Sequence, residues 1–120
     1  PDSGATWPLT HRVGPVRARE LLLLDRRLSG REAADWGLIH AARPEPDLAA
    51  EAEEIVRKLA DGPTVALGLT KWLLHQAEST DLDGALRNEA FGLELSSRSE
   101  DFREGLKAFA EKRDPEFRGR

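Results

Sequence analysis

Asp2 stands in a run of small and polar residues, Pro1-Asp2-Ser3-Gly4-Ala5-Thr6, directly ahead of a segment with helical character. A loop feeding a helix N-terminus presents unpaired backbone amides and the positive end of the helix dipole, so it can host a reactive carboxylate or an anion. To act as a general base near neutral pH, Asp2 needs its pKa raised by burial in an apolar pocket, against a dipole that favours the charged form. The commoner job of an aspartate at such a place is to cap the helix. At the other end, Lys112, Arg113, Arg118 and Arg120 form a basic tail able to meet phosphate, lysine as a mobile point charge and arginine through its fork. Asp114 and Glu116 are interleaved, so a solvated C-terminus is the plain alternative. His11, His40 and His75 are scattered without metal-ligand spacing, and each reads as structural or exposed; His11 lies closest to Asp2.

The elements that must position these residues are mostly helices. Polar residues 1–6 lead into a helix from Trp7 to Val13, interrupted at Gly14-Pro15 and resumed from Val16 to Leu24. Ser29 and Glu32 have capping-box spacing, which predicts a short helix near 30–36 that Gly37 ends in a left-handed turn. Leu38 to Ala42 reads as a brief extended segment before Pro44 and Pro46. Asp47 is expected to cap a helix with Leu48, Ala52, Ile55, Val56 and Leu59 on one face, stopping at Asp61-Gly62. Pro63 suits the first position of the next helix, whose apolar face carries Val65, Ala66, Leu69, Trp72 and Leu73. Thr80 and Asp83 mark a further start, ahead of Leu82, Leu86, Ala90 and Leu93. Ser99 is placed to cap the last helix, with Phe102, Leu106 and Phe109 at i, i+4 and i+7. The three tryptophans read as core or interface anchors.

Composition narrows the function classes. The 120 residues, 39% hydrophobic and 33% charged, suit one soluble globular domain or part of one. A compact chain of this mass buries roughly two-thirds of its unfolded surface. With no cysteine there is no disulfide, thiolate metal site or cysteine nucleophile, which suits a reducing compartment and a cytoplasmic setting. The longest apolar run, Leu21 to Leu24, is far short of a membrane span. Charge is segregated: residues 1–31 carry six basic and three acidic side chains, residues 32–97 five and thirteen, residues 98–120 seven and six. That acidic centre argues against a nucleic-acid-binding face. The sequence contains no methionine, hence no initiator, and is expected to be a piece of a longer polypeptide.

Taken in order, several segments together resemble one family. Pro-Asp-Ser-Gly-Ala-Thr-Trp at 1–7, Arg-Val-Gly at 12–14 and Ala18-Arg19-Glu20-Leu21-Leu22-Leu23-Leu24 are similar to the central part of crotonases, the enoyl-CoA hydratase/isomerase superfamily. Arg27-Leu28-Ser29, Glu32-Ala33 and Trp36-Gly37-Leu38-Ile39 continue the pattern. So do Gly62-Pro63, Thr70-Lys71, Arg103-Glu104-Gly105, Ala108-Phe109, Glu111-Lys112-Arg113, Pro115 and Phe117. The Pro-Asp-Ser-Gly opening is nearest to the branch holding the isomerases of phenylacetate degradation.

The resemblance implies a mainly α chain, the C-terminal helical part of the α/β crotonase spiral fold. Residues 1–43 would end the core, with the active-site loop, helices and the short extended segment; residues 44–120 would form a helical oligomerisation region. It implies an acyl-CoA thioester substrate, with coenzyme A entering as part of that substrate and no covalently bound cofactor or metal. Two backbone amides that hold the thioester oxygen belong to segments preceding this chain. Asp2 matches the aspartate that shuttles a proton between the alpha and gamma carbons of an enoyl-CoA, Gly4 falls in the substrate-binding loop, and Lys112 matches the lysine approaching the adenosine phosphate of CoA. Homotrimers or hexamers, with no nucleic-acid or membrane partner, are implied for the intact protein. Hydratase activity, or a non-catalytic helical assembly module, are the alternatives. Two departures are Ala5, where a second glycine is usual, and His11, where a proline is usual.

Overall fold

The computed structural model describes residues 1–120, which form six helices and no strands. They divide into two compact units, Pro1–Ala49 and Ala50–Arg120.

In the first unit, α1 (Thr6–Leu23) breaks where the sequence predicts. Gly14 has φ 77° and ψ 164°, a conformation open to glycine, and its extended ψ is what the following Pro15 demands. α2 (Gly30–Asp35) has the expected capping box: Ser29 Oγ accepts from the Glu32 amide at 3.2 Å, and the Ser29 amide donates to the Glu32 carboxylate at 2.9 Å. The Ser29 amide, then Ser29 Oγ, which donates to the same carboxylate at 2.8 Å, then Arg26, lower the Glu32 pKa. Gly37 takes φ 73° and ends the helix. Arg26 joins α1 to α2 by pairing with Glu20 and with Glu32, the latter at 3.0 Å. The guanidinium carbons of Arg26 and Arg17 each lie 4.8 Å from the centre of the Trp36 ring, so this tryptophan is a cation-π anchor. Residues 38–40 bend and 41–44 have no regular structure. No strand forms at the expected extended segment, because the chain offers no second strand to pair its backbone groups.

The helix boundaries differ from the sequence reading by one to three residues at three caps. α3 (Glu45–Ala60) begins before Asp47, whose amide donates to the Pro44 carbonyl at 3.0 Å; Asp47 is a first-turn acid, favourable to the dipole, rather than the cap. α4 (Thr64–Ala77) has Pro63 just outside its first turn. α5 (Leu82–Ser97) is capped by Asp81, which accepts from the Gly84 amide at 2.8 Å, and not by Thr80 or Asp83. α6 (Glu100–Glu111) is capped as expected by Ser99, which accepts from the Phe102 amide at 3.1 Å.

In the second unit α4 packs on α5, and α5 meets α6. The α4–α5 approach is close at Gly92, where a Cβ would stand 3.0 Å from Leu73 Cδ1. Side-chain burial, however, is slight. The buried apolar residues of the whole chain are Val13, Ala18, Ala33 and Ala108, all small. The apolar faces of α3, α5 and α6 form as predicted but stay open, with Leu59, Leu86, Leu93 and Phe109 all exposed. The accessible surface is 9686 Å², against about 6500 Å² for a self-contained monomer of this mass. About half of the unfolded surface is therefore removed, not the two-thirds expected. Helical periodicity specifies an apolar face but not what covers it.

Candidate functional site

Asp2 and Gly4 fall in one tight turn. The Ala5 amide donates to the Asp2 carbonyl at 2.9 Å, and the central residues Ser3 and Gly4 have φ 49° and 79°. Positive φ at both central positions is the pattern of the mirror-image type I turn. A Cβ at Gly4 would meet nothing within 4 Å, so glycine is required there by the backbone angle and not by crowding. Ser3, lacking that freedom, holds a strain of about 1 kcal/mol.

The structure overturns the capping reading of Asp2. The residue at the head of α1 is Ala5, with no side-chain cap, and the exposed Asp2 carboxylate makes no hydrogen bond or ion pair within the chain. His11 does not pair with it either. Its ring stacks on Trp7 at 4.1 Å, and Nδ1 lies 2.8 Å from the Trp7 carbonyl, which can only accept, so Nδ1 carries the proton. His75 lies 4.0 Å from Glu78 at the margin of an ion pair, and His40 is exposed. An open apolar groove of about 260 Å³, lined by Pro1, Thr6, Thr10, Ala18, Leu22 and Leu23, begins beside the turn. No three acids and histidines converge as a metal-holding group, and no helix is long and apolar enough to cross a membrane.

Lys112, in the second unit, ends α6 in the left-handed conformation, φ 53° and ψ 42°. Its amide donates to the Phe109 carbonyl at 3.2 Å and the Arg113 amide to that of Ala108 at 3.1 Å, closing the helix end. The Lys112 side chain is exposed and has no acidic partner.

The rest of the tail is mostly exposed but folded back on α6, and two of its three arginines, Arg113 and Arg120, are tied to acids while the Arg118 side chain is not. Arg113 forks onto Glu104, Nη1 to Oε1 at 2.6 Å and Nη2 to Oε2 at 3.1 Å, and also reaches Glu111 at 2.7 Å. Glu104 accepts a further bond from the Glu116 amide at 3.0 Å. The Arg113 bonds, then the Glu116 amide, lower the Glu104 carboxyl pKa to about 2, and Glu104 followed by Glu111 raises that of Arg113. Further along, the buried Asp101 accepts the Arg118 amide at 2.7 Å and the Gly119 amide at 2.8 Å, while its own amide donates to the Arg120 carbonyl at 3.0 Å. Arg120 pairs with Glu100 at 3.0 Å. Residues 113–120 are thus a strap laid back on α6. Sequence reasoning missed Asp101 and Glu104 as its anchors. Their partners are nine to eighteen residues away, beyond any helical period; the only signal was the place of Glu104 in a segment of family resemblance, and nothing pointed to Asp101.

Comparison with known proteins gives this arrangement its context. The chain is 42% identical over 120 residues to 1,2-epoxyphenylacetyl-CoA isomerase of Escherichia coli (strain K12), covering all of the chain and 46% of that protein. Enoyl-CoA hydratase subunit I of Geobacillus kaustophilus HTA426 superposes with a TM-score of 0.95 at 35% identity, over 100% of this chain and 47% of that one. Enoyl-CoA hydratase of Bacillus anthracis gives 0.92 at 35% identity, over 100% and 46%. The chain therefore spans about half the length of these relatives, and its helices are the C-terminal helical part of the crotonase fold. Residues 1–120 match the family model for enoyl-CoA hydratase/isomerase from end to end, and the chain belongs to that family.

Proposed function

We propose that the protein is an enoyl-CoA isomerase in which Asp2 moves the proton and Lys112 meets a phosphate of coenzyme A. The observation that carries this reading is the Pro-Asp-Ser-Gly turn, which leaves the Asp2 carboxylate unengaged, in a chain 42% identical to an acyl-CoA isomerase. Asp2 takes a proton from the alpha carbon of a 3-enoyl thioester, the electron pair delocalises to the thioester oxygen, and the same proton returns at the gamma carbon. The double bond moves from the beta-gamma to the alpha-beta position with no net gain or loss of atoms. Backbone amides holding the oxygen, supplied by the half of the family fold that precedes these residues, stabilise the developing charge. Cover over Asp2 from that half and from the acyl chain supplies the desolvation a carboxylate base needs. Gly4 lets the turn approach the thioester closely. The substrate carries its own coenzyme A, and no metal or covalent cofactor enters the step.

The same reading makes residues 1–43 the end of the catalytic core and 44–120 an assembly region whose open apolar faces meet other copies in a homotrimer or hexamer. A cytoplasmic setting, suggested by the cysteine-free composition, and a role in acyl-CoA metabolism complete it. Hydration is the second reading, favoured by the enoyl-CoA hydratases that superpose at 35% identity. Turnover in water enriched in oxygen-18 separates the two. Isomerisation gives an unlabelled enoyl product, whereas a 3-hydroxyacyl product carrying the heavy oxygen overturns the isomerase reading in favour of hydration. Sedimentation of the full-length protein as a monomer would refute the assembly.

A further inference from the structure

Lys112 is a non-glycine residue held at φ 53°; its own amide and that of Arg113 close the turn on α6, and the side-chain groups that hold the chain just beyond it are Arg113 and Glu104. On its N-terminal side the backbone is fixed by α6. On its C-terminal side stands Arg113, whose guanidinium is forked onto Glu104. With both neighbours pinned, only the side-chain torsions of Lys112 remain free, and its ammonium works from a fixed root. Glu104 also accepts the Glu116 amide, so one carboxylate fastens the chain at the first and fourth residues beyond Lys112. Without it, the turn is left to the two backbone bonds of Lys112 and Arg113 alone, and Lys112 gains freedom to relax toward the negative φ that a side chain prefers. The ammonium would then have to be ordered at the moment of binding.

We infer that Glu104 is a positioning residue for coenzyme A binding: through Arg113 it fixes the turn at Lys112, and with it the point from which the ammonium meets a phosphate. This rests on the reading of Lys112 given above. Ordering one long side chain on binding weakens affinity about 3–10-fold, so Glu104→Ala should raise KM for acyl-CoA by that factor with kcat kept. Glu104→Gln, which keeps an acceptor but loses the charge, should fall between Ala and the native residue and serves if Glu104→Ala does not fold.

The test uses the protein at full family length, as Glu104→Ala, Lys112→Ala and the double variant. KM is measured for an acyl-CoA and for the matching acyl-pantetheine thioester, which lacks the adenosine phosphates. Amide hydrogen exchange of Glu116 reports whether the strap has loosened. Supporting results are faster Glu116 exchange, a raised KM for acyl-CoA alone, and a double variant no weaker than Lys112→Ala, because an unanchored lysine and an absent one fail at the same step. A purely structural Glu104 would change both substrates alike or add its effect to that of Lys112, and either outcome overturns the inference. So does an unchanged KM in Glu104→Ala when Lys112→Ala raises it, which leaves the Lys112 reading intact. An unchanged KM in Lys112→Ala removes the reading and the inference together.

Discussion

The two ends of the chain treat their chemically able side chains in opposite ways. At Asp2 the backbone is shaped by a tight turn with positive φ at Ser3 and Gly4, while the carboxylate itself touches nothing. Around Lys112 the acids are fully engaged, Glu104 by Arg113 and the Glu116 amide, Asp101 by two amides of the strap. A carboxylate that anchors structure has its lone pairs filled, and one left for chemistry does not. The contrast leaves Asp2, unlike Asp101 and Glu104, with no structural duty for its carboxylate.

The contrast can be broken most sharply at Asp2. In the protein at full family length, Asp2→Asn should lower kcat by roughly 10²–10⁴-fold with little change in stability, since the side chain keeps its size and bonds to nothing in the chain. Steady-state kinetics beside a urea melt checks both halves; near-full activity would leave the turn without a catalytic role. Asp101→Ala should do the reverse. It strands two amides beside a buried site, and a loss of about 3 kcal/mol in denaturant unfolding is expected, with catalysis on acyl-pantetheine retained.

Smaller effects sharpen the comparison at Lys112. Lys112→Gly relieves the left-handed backbone and should raise stability by up to about 1 kcal/mol, while KM for acyl-CoA rises through loss of the ammonium. A stability loss instead would mean that the lysine stem packs on the helix end. The smallest effect is that of acid on the strap. The Glu104 pKa is lowered from an ordinary 4.5 to about 2, so its contribution is complete above about pH 4.5 and is lost as pH falls through 2. Protection of the Glu116 amide, taken against its intrinsic exchange rate at each pH, should hold at pH 5 and fall between pH 4.5 and 2.

Helix α2 shows why part of this molecule was legible before folding was considered. Ser29, Glu32 and Gly37 lie within nine residues, and each acts on a backbone group one turn away, so type and spacing are enough. The Gly14-Pro15 break and the Ser99 cap follow by the same local logic. The misplaced caps at Asp47 and Thr80-Asp83 show its limit: several acids and hydroxyls compete within one turn, and the backbone angle selects among them.

By itself, then, the sequence determined where the helices run, which faces are apolar, and the family that the ordered segments resemble, because these depend on neighbours within about four residues or on whole-chain pattern. Tertiary structure alone decided that Asp2 caps nothing, that the basic tail is a strap whose Arg113 and Arg120 are tied to acids of α6, and that Lys112 is fixed at its root with only its side chain free. Those outcomes depend on which groups meet across nine to twenty residues, where no period repeats and chain return sets the pairing. The open faces of Leu59, Leu86 and Phe109 follow from the same physics, since an apolar stripe is written locally and its cover comes from elsewhere in the assembled fold.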